Sequence, residues 1–66
     1  MDIQQAKELK SSLMWAGVVE EMDKKIVFEV AKLKAAKLED IILIQATIRA
    51  YESLKKLPDD VIEREE

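Results

Sequence analysis

Cysteine and histidine are both absent from this sequence, and glycine and proline occur only once each in its 66 residues. Without cysteine the chain can form neither disulfides nor thiolate metal sites, and without histidine it lacks the commonest metal ligand and general base. The single glycine, Gly17, excludes a glycine-rich loop that would hold a phosphate group. We therefore expect a protein that is not an enzyme and that has no cofactor and no metal ion.

Acidic side chains are the remaining candidates for catalysis or metal binding. Four of them cluster in one stretch of the chain: Glu20, Glu21, Asp23 and Glu29. Adjacent acids on a helix point to different faces, and no histidine accompanies them. This cluster therefore does not change the expectation.

The composition is typical of long helices. Hydrophobic residues make up 48% of the chain and charged residues 38%, which fits neither a disordered segment nor a β fold. The length predicts a single domain, and a chain this short buries only roughly 60% of its unfolded surface. Since no disulfide is available, assembly with other chains is the remaining way to stabilise the fold.

No apolar run exceeds four residues, so we expect no membrane-spanning segment. The first ten residues lack the apolar core of a signal peptide, which predicts an intracellular protein. The net charge of −3 is concentrated in the segment Asp59–Glu66, which holds five acids and one arginine. The nearly neutral body is a poor partner for nucleic acid. We interpret the local lysine excess as a solvated face: Lys24, Lys25, Lys32, Lys34 and Lys37.

Hydrophobic periodicity predicts three helices, at about residues 2–10, 13–35 and 39–57. Asp2 is a candidate N-cap for the first helix, and Ser11 and Ser12 interrupt the chain and offer a cap for the second. Pro58 lacks a backbone donor and is predicted to stop the third helix. Asp59 is then a candidate cap for one final turn, after which we expect the acidic end to fray.

Each long helix carries an apolar stripe. The first stripe is Trp15, Val19, Met22, Ile26, Val30 and Leu33, and the second is Ile41, Ile44, Ile48 and Tyr51. The link between the helices contains no glycine or proline, so one continuous rod and a hairpin are both open. We favour the hairpin because it lets the two stripes cover each other. The expected fold class is all-α, a helical hairpin of two long helices with a short N-terminal helix and a short acidic C-terminal tail.

The third helix has more apolar surface than one neighbour can cover. These residues either complete a core with the first helix and with Val61 and Ile62, or form an interface with a second copy or a foreign protein. We favour the interface and expect a homo-oligomer as well as a protein partner, because clustered exposed apolar groups mark interaction surfaces and small alanines one turn apart permit close helix approach. The predicted partner-interface residues are Val27, Phe28, Ile42, Leu43, Ala46, Ala50 and Leu54.

The segment QATIRAYESLKKLPDDVIERE resembles the end of small helical proteins encoded in tailed-bacteriophage head-morphogenesis gene clusters. The similar features are a tryptophan near the start of a long helix and a Gln-x-x-Ile-Arg helix that ends at Leu-Pro. The matching positions here are Trp15, Gln45, Ile48, Arg49, Leu57 and Pro58. In that family the link between the helices often contains proline or glycine, and this chain has neither.

The resemblance implies a small structural or assembly protein of a phage particle. Its partners would be the portal, the capsid or a tail adaptor, and it would reside in the virion and, during assembly, in the host cytoplasm. The alternative is a small intracellular regulatory protein that binds another protein through a helix pair, such as an antitoxin or a transcription adaptor. The dense apolar helices disfavour the alternative, because an antitoxin usually carries a DNA-binding segment or a disordered arm.

Overall fold

The computed structural model describes all 66 residues, Met1–Glu66. The chain forms four α-helices and no strand. They are α1 (Ile3–Lys10), α2 (Leu13–Lys32), α3 (Leu38–Lys55) and α4 (Leu57–Glu65), with a short 3₁₀ turn at Leu33–Ala35 after α2. Helices α2 and α3 pack against each other, which confirms the all-α hairpin.

The first two helices begin at the caps that the sequence predicts. The Asp2 carboxylate accepts a hydrogen bond from the Gln5 N–H at 2.8 Å, and the Gln5 side chain accepts one from the Asp2 N–H at 3.0 Å. This reciprocal pair satisfies two donors at the start of α1. The Ser12 hydroxyl accepts from the N–H groups of Met14 and Trp15, so α2 starts directly after the two serines.

Two extended residues separate α2 from α3 and exclude the continuous rod. After the 3₁₀ turn, Ala36 has ψ 144° and Lys37 has ψ 157°. The chain therefore reverses without glycine or proline. Lys37 provides no side-chain cap, but Glu39 and Asp40 lie in the first turn of α3, where the helix dipole favours acids.

The seam between α2 and α3 follows the predicted stripes. Met22 and Ile44 are buried at 8% and 9% exposure, and most of the other stripe residues are half-buried. Val30 is the exception, because it is 47% exposed at the edge of the seam. Lys55 of α3 forms an ion pair with Asp23 of α2 across the same seam.

The C-terminal segment differs from the frayed acidic tail that we expected. It forms helix α4, which starts at Leu57 with no side-chain cap, so Asp59 is not the cap. Pro58 lies in the first turn of α4, where its missing N–H removes no hydrogen bond. It therefore ends α3 and begins a new helix. Pro58 and Val61 are buried, and α4 packs against α1.

The chain is extended for its length. The radius of gyration is 14.5 Å, whereas a compact domain of this length has about 11 Å. The accessible surface is 5196 Å², against about 4300 Å² for a typical folded monomer of this mass. The monomer therefore leaves an unusual amount of surface uncovered. None of its helices combines the length and the apolarity that crossing a bilayer requires.

Candidate functional site

The side of α3 that points away from α2 carries no charge over three turns. At about 100° per residue, this side lies opposite Ile44 and the seam. We call it the outer face of α3 and define it by Ile42, Leu43, Ala46, Ala50, Ser53 and Leu54, with Thr47 at its edge. The polar residues Gln45, Arg49, Glu52 and Lys56 lie on the neighbouring side of the helix, with Arg49 next to Ile42 at the edge of the outer face.

The large side chains of the outer face are open to solvent. Ile42 is 71% exposed, Leu43 68% and Leu54 51%, although Ile44 on the same helix is 9% exposed. Neither α1 nor α4 covers them, because these two short helices pack mainly against each other. The α1 and α4 helices therefore do not complete a core over this face.

The polar atoms of Thr47 do not oppose contact with an apolar partner. The Thr47 hydroxyl donates to the Leu43 carbonyl oxygen at 3.0 Å, within the helix. A hydroxyl that already donates a hydrogen bond within its own helix has a smaller free-energy cost of burial than one that is bonded only to water. An apolar partner can therefore cover the edge of the face at Thr47 with little loss of hydrogen bonding.

The two ends of α3 carry opposite charges. Glu39 and Asp40 lie in the first turn, and Lys55 and Lys56 lie at the other end. Lys55 is engaged with Asp23, whereas Glu39, Asp40 and Lys56 form no ion pair within the chain. The apolar face is thus bordered by an acidic end and a basic end that are available to a partner.

The structure does not bring Val27 and Phe28 to the outer face of α3. Both are exposed, at 69% and 63%, but Phe28 lies on the side of α2 that points away from α3. The Lys32 ammonium lies 4.7 Å from the Phe28 ring centroid and 3.1 Å from the Glu29 carboxylate. This cation–π contact shields one side of the ring. The seven predicted interface residues therefore form separate surfaces, with five of them together on α3.

Other exposed apolar residues lie outside the predicted interface. Leu13, Met14 and Leu38 are more than 80% exposed, at the first turns of α2 and α3. The only feature of the sequence that indicates their exposure is that they lie outside both apolar stripes. An open cavity of about 310 Å³ lies at the closed end of the hairpin, lined by Lys32, Ala36, Asp40, Leu43 and Ile44. Because Leu43 belongs both to this cavity and to the outer face, the cavity extends the same candidate surface.

The titratable side chains do not cluster into a recognisable binding site. No three acidic side chains converge as a possible cation site. The hydrogen bond to Asp59, and then its charge, raise the pKa of Lys10 above the usual value, at a solvent-exposed position on α1. The outer face of α3 is therefore the best candidate functional site.

No protein-family model matches this chain, and no curated protein or solved structure is significantly similar to it.

Proposed function

We propose that the chain is a non-enzymatic structural or assembly protein of a bacteriophage particle. It docks through the outer face of α3 on another protein, with the portal, the capsid or a tail adaptor as the candidate partners. In this role the protein binds and positions its partners and catalyses no reaction.

The single observation that carries the proposal is the charge-free, exposed outer face of α3. Monomeric soluble proteins rarely expose large contiguous apolar patches, and such patches mark interaction sites. Here Ile42, Leu43 and Leu54 are each more than half exposed on one side of one helix. The two small alanines between them allow a partner helix to approach closely.

The phage setting rests on the sequence resemblance. Its matching positions lie at structurally distinct places. Trp15 is half-buried in the seam, and Gln45 and Arg49 are exposed on the polar side of α3. Leu57 and Pro58 form the junction between α3 and α4. These positions lie outside the outer face and leave it free for docking.

The test is to measure the chain in purified particles from infected cells that also express tagged variants. Mass spectrometry should find wild-type chain at a constant ratio to the portal, capsid or adaptor protein. The variant with both Ile42→Glu and Leu43→Glu should remain helical by circular dichroism but be lost from particles. A charge forced into an apolar contact is strongly unfavourable.

The matched control places the same added charge on the polar side of the same helix. Gln45→Glu combined with Arg49→Gln changes the net charge by as much as the docking variant does, and both positions are exposed. This control should enter particles at the wild-type level. Absence of the wild-type chain from particles would contradict the phage proposal. Equal loss of both variants would contradict docking through the outer face.

A further inference from the structure

We propose that the outer face of α3 binds the same face of a second copy, so that two α3 helices pair antiparallel in a symmetric dimer. The inference rests on the proposed function in one respect, that this face binds protein. The inference adds that one partner on this face is a second copy of the chain, and it gives the register of the two helices.

The chain as a whole leaves more surface uncovered than a typical monomer, by an amount comparable to one side of a standard interface. The accessible surface of 5196 Å² exceeds that of a typical monomer of this mass by about 900 Å². A standard protein interface takes about 800 Å² from each partner. Only five residues are buried within the chain, so a second copy would supply cover that the single chain lacks.

The order of large and small residues on the outer face is nearly the same in both chain directions. Two large residues, Ile42 and Leu43, precede Ala46, and Ala50 precedes Leu54. The midpoint of this pattern is level with residue 48. A two-fold axis at that level requires each contact to occur twice, with the residues exchanged between the copies.

Antiparallel pairing about this axis places small residues together and gives each large residue a neighbour. Ala46 of one copy meets Ala50 of the second, so the helix axes can approach to about 8 Å. On one side of the contact Leu43 packs against Leu54, and on the other Ile42 packs against Ser53. Parallel pairing would instead bring the large residues level with each other at one end.

The charges at the two ends of α3 also favour the antiparallel orientation. Glu39 and Asp40 of one copy lie beside the end of α3 that carries the unpaired Lys56 in the second, since Lys55 is already paired with Asp23. Antiparallel pairing also places the opposite ends of the two helix dipoles together. In a parallel pair, acidic ends would face each other and basic ends would face each other.

Crosslinking tests both the contact and its orientation. The chain has no cysteine, so single cysteines report on chosen positions without background. A mixture of the Ile42→Cys and Ser53→Cys proteins should form the mixed disulfide under mild oxidation. In an antiparallel pair, residue 42 of one copy and residue 42 of the second lie about 15 Å or more apart along the helix axis, and the same holds for residue 53. This distance is too long for a disulfide. Each variant alone should therefore crosslink poorly.

A bulky substitution tests the same contact in the uncrosslinked protein. Sedimentation of the wild type at micromolar concentration should give twice the 7.6 kDa chain mass. Ala50→Trp should weaken the dimer by about tenfold or more, because overpacking a close helix contact is unfavourable. Gln45→Trp is the matched control, on the exposed polar side of α3, and should leave the dimer unchanged.

Each outcome decides the inference. A mixed disulfide together with loss of the dimer in Ala50→Trp supports it. Disulfides between like residues would overturn the antiparallel orientation. A wild-type monomer with no mixed disulfide would overturn the second copy as the occupant. That last result leaves docking on a particle protein intact, since the particle experiment measures it separately.

Discussion

The Nζ atom of Lys10, the last residue of α1, lies 2.5 Å from the Oδ1 atom of Asp59 in the first turn of α4. This ion pair joins the end of one short helix to the beginning of the other. Beneath it, Ala6, Pro58 and Val61 are three of the five buried residues of the chain. The tightest packing thus lies between the two chain ends, and the seam of the long helices is more open.

The buried position of Val61 predicts that α4 contributes to stability. Val61 is 2% exposed, and Val61→Ala removes two methyl groups from the contact with α1. We expect a loss of about 1.5–3 kcal/mol. Thermal unfolding followed by circular dichroism should show a melting temperature lower by about 6 °C or more.

The matched control for this prediction is Val27→Ala, the same substitution at a residue that is 69% exposed. It should change the melting temperature little, since surface substitutions usually stay within about 0.5 kcal/mol. If both variants melted at the same temperature, α4 would not be docked. Removing residues 63–66 should also have little effect, because all four side chains are exposed.

The Lys10–Asp59 pair predicts a small dependence of stability on alkaline pH. The hydrogen bond to Asp59 raises the pKa of Lys10 above 10.5, so the folded state holds this proton more tightly than the unfolded state. The contribution is therefore fully present below about pH 10 and is lost as the pH rises through the raised pKa. Because the pair is exposed, the effect on the melting temperature is small.

The measurement compares the melting temperatures of wild type and Lys10→Gln from neutral to alkaline pH. Wild type should melt higher at neutral pH, and the difference should disappear above the raised pKa of Lys10. Lys7→Gln is the control, since Lys7 is exposed on the same helix and forms no ion pair. A difference between wild type and Lys10→Gln that stays constant with pH would contradict the role of this pair.

The hairpin and its caps could be predicted from local sequence. Asp2 and Ser12 precede apolar periods at the spacing that a helix start requires, and the two stripes have only each other to cover them. The outer face of α3 could be predicted for the same reason, because its residues are apolar and fall outside the seam.

Helix α4 could not be predicted with the same rules, because proline is both a stop and a start signal. Pro58 ends α3, but proline in a first turn followed by Asp59 and Asp60 is equally the pattern of a new helix. The choice depends on the packing of α4 against α1, which buries Val61 and Ala6 and brings opposite ends of the chain together. Nothing in the local sequence reports such a contact. The separation of Phe28 from the outer face likewise depends on how α2 is turned against α3.

Gly17 offers a stabilising substitution. It lies within α2 with a helical backbone, and a Cβ atom added there would meet no atom within 4 Å. Gly17→Ala should therefore stabilise the chain by about 1 kcal/mol through helix propensity, which raises the melting temperature by about 4–8 °C. Chemical denaturation should confirm the gain. A loss of stability would instead indicate that another chain packs closely against Gly17.

Isoleucine-to-alanine substitutions on the two sides of α3 should change the free energy of unfolding by very different amounts. Ile44 is 9% exposed in the seam, and Ile42 is 71% exposed on the outer face. In the Ala50→Trp background, which would weaken the proposed pairing with a second copy, Ile44→Ala should lose about 2–5 kcal/mol because it leaves a cavity between α2 and α3. Ile42→Ala in that background should stay within about 0.5 kcal/mol. Denaturant titration of dilute protein measures both. Equal losses at the two positions would mean that the outer face belongs to the core of the single chain, and docking through it would then be untenable.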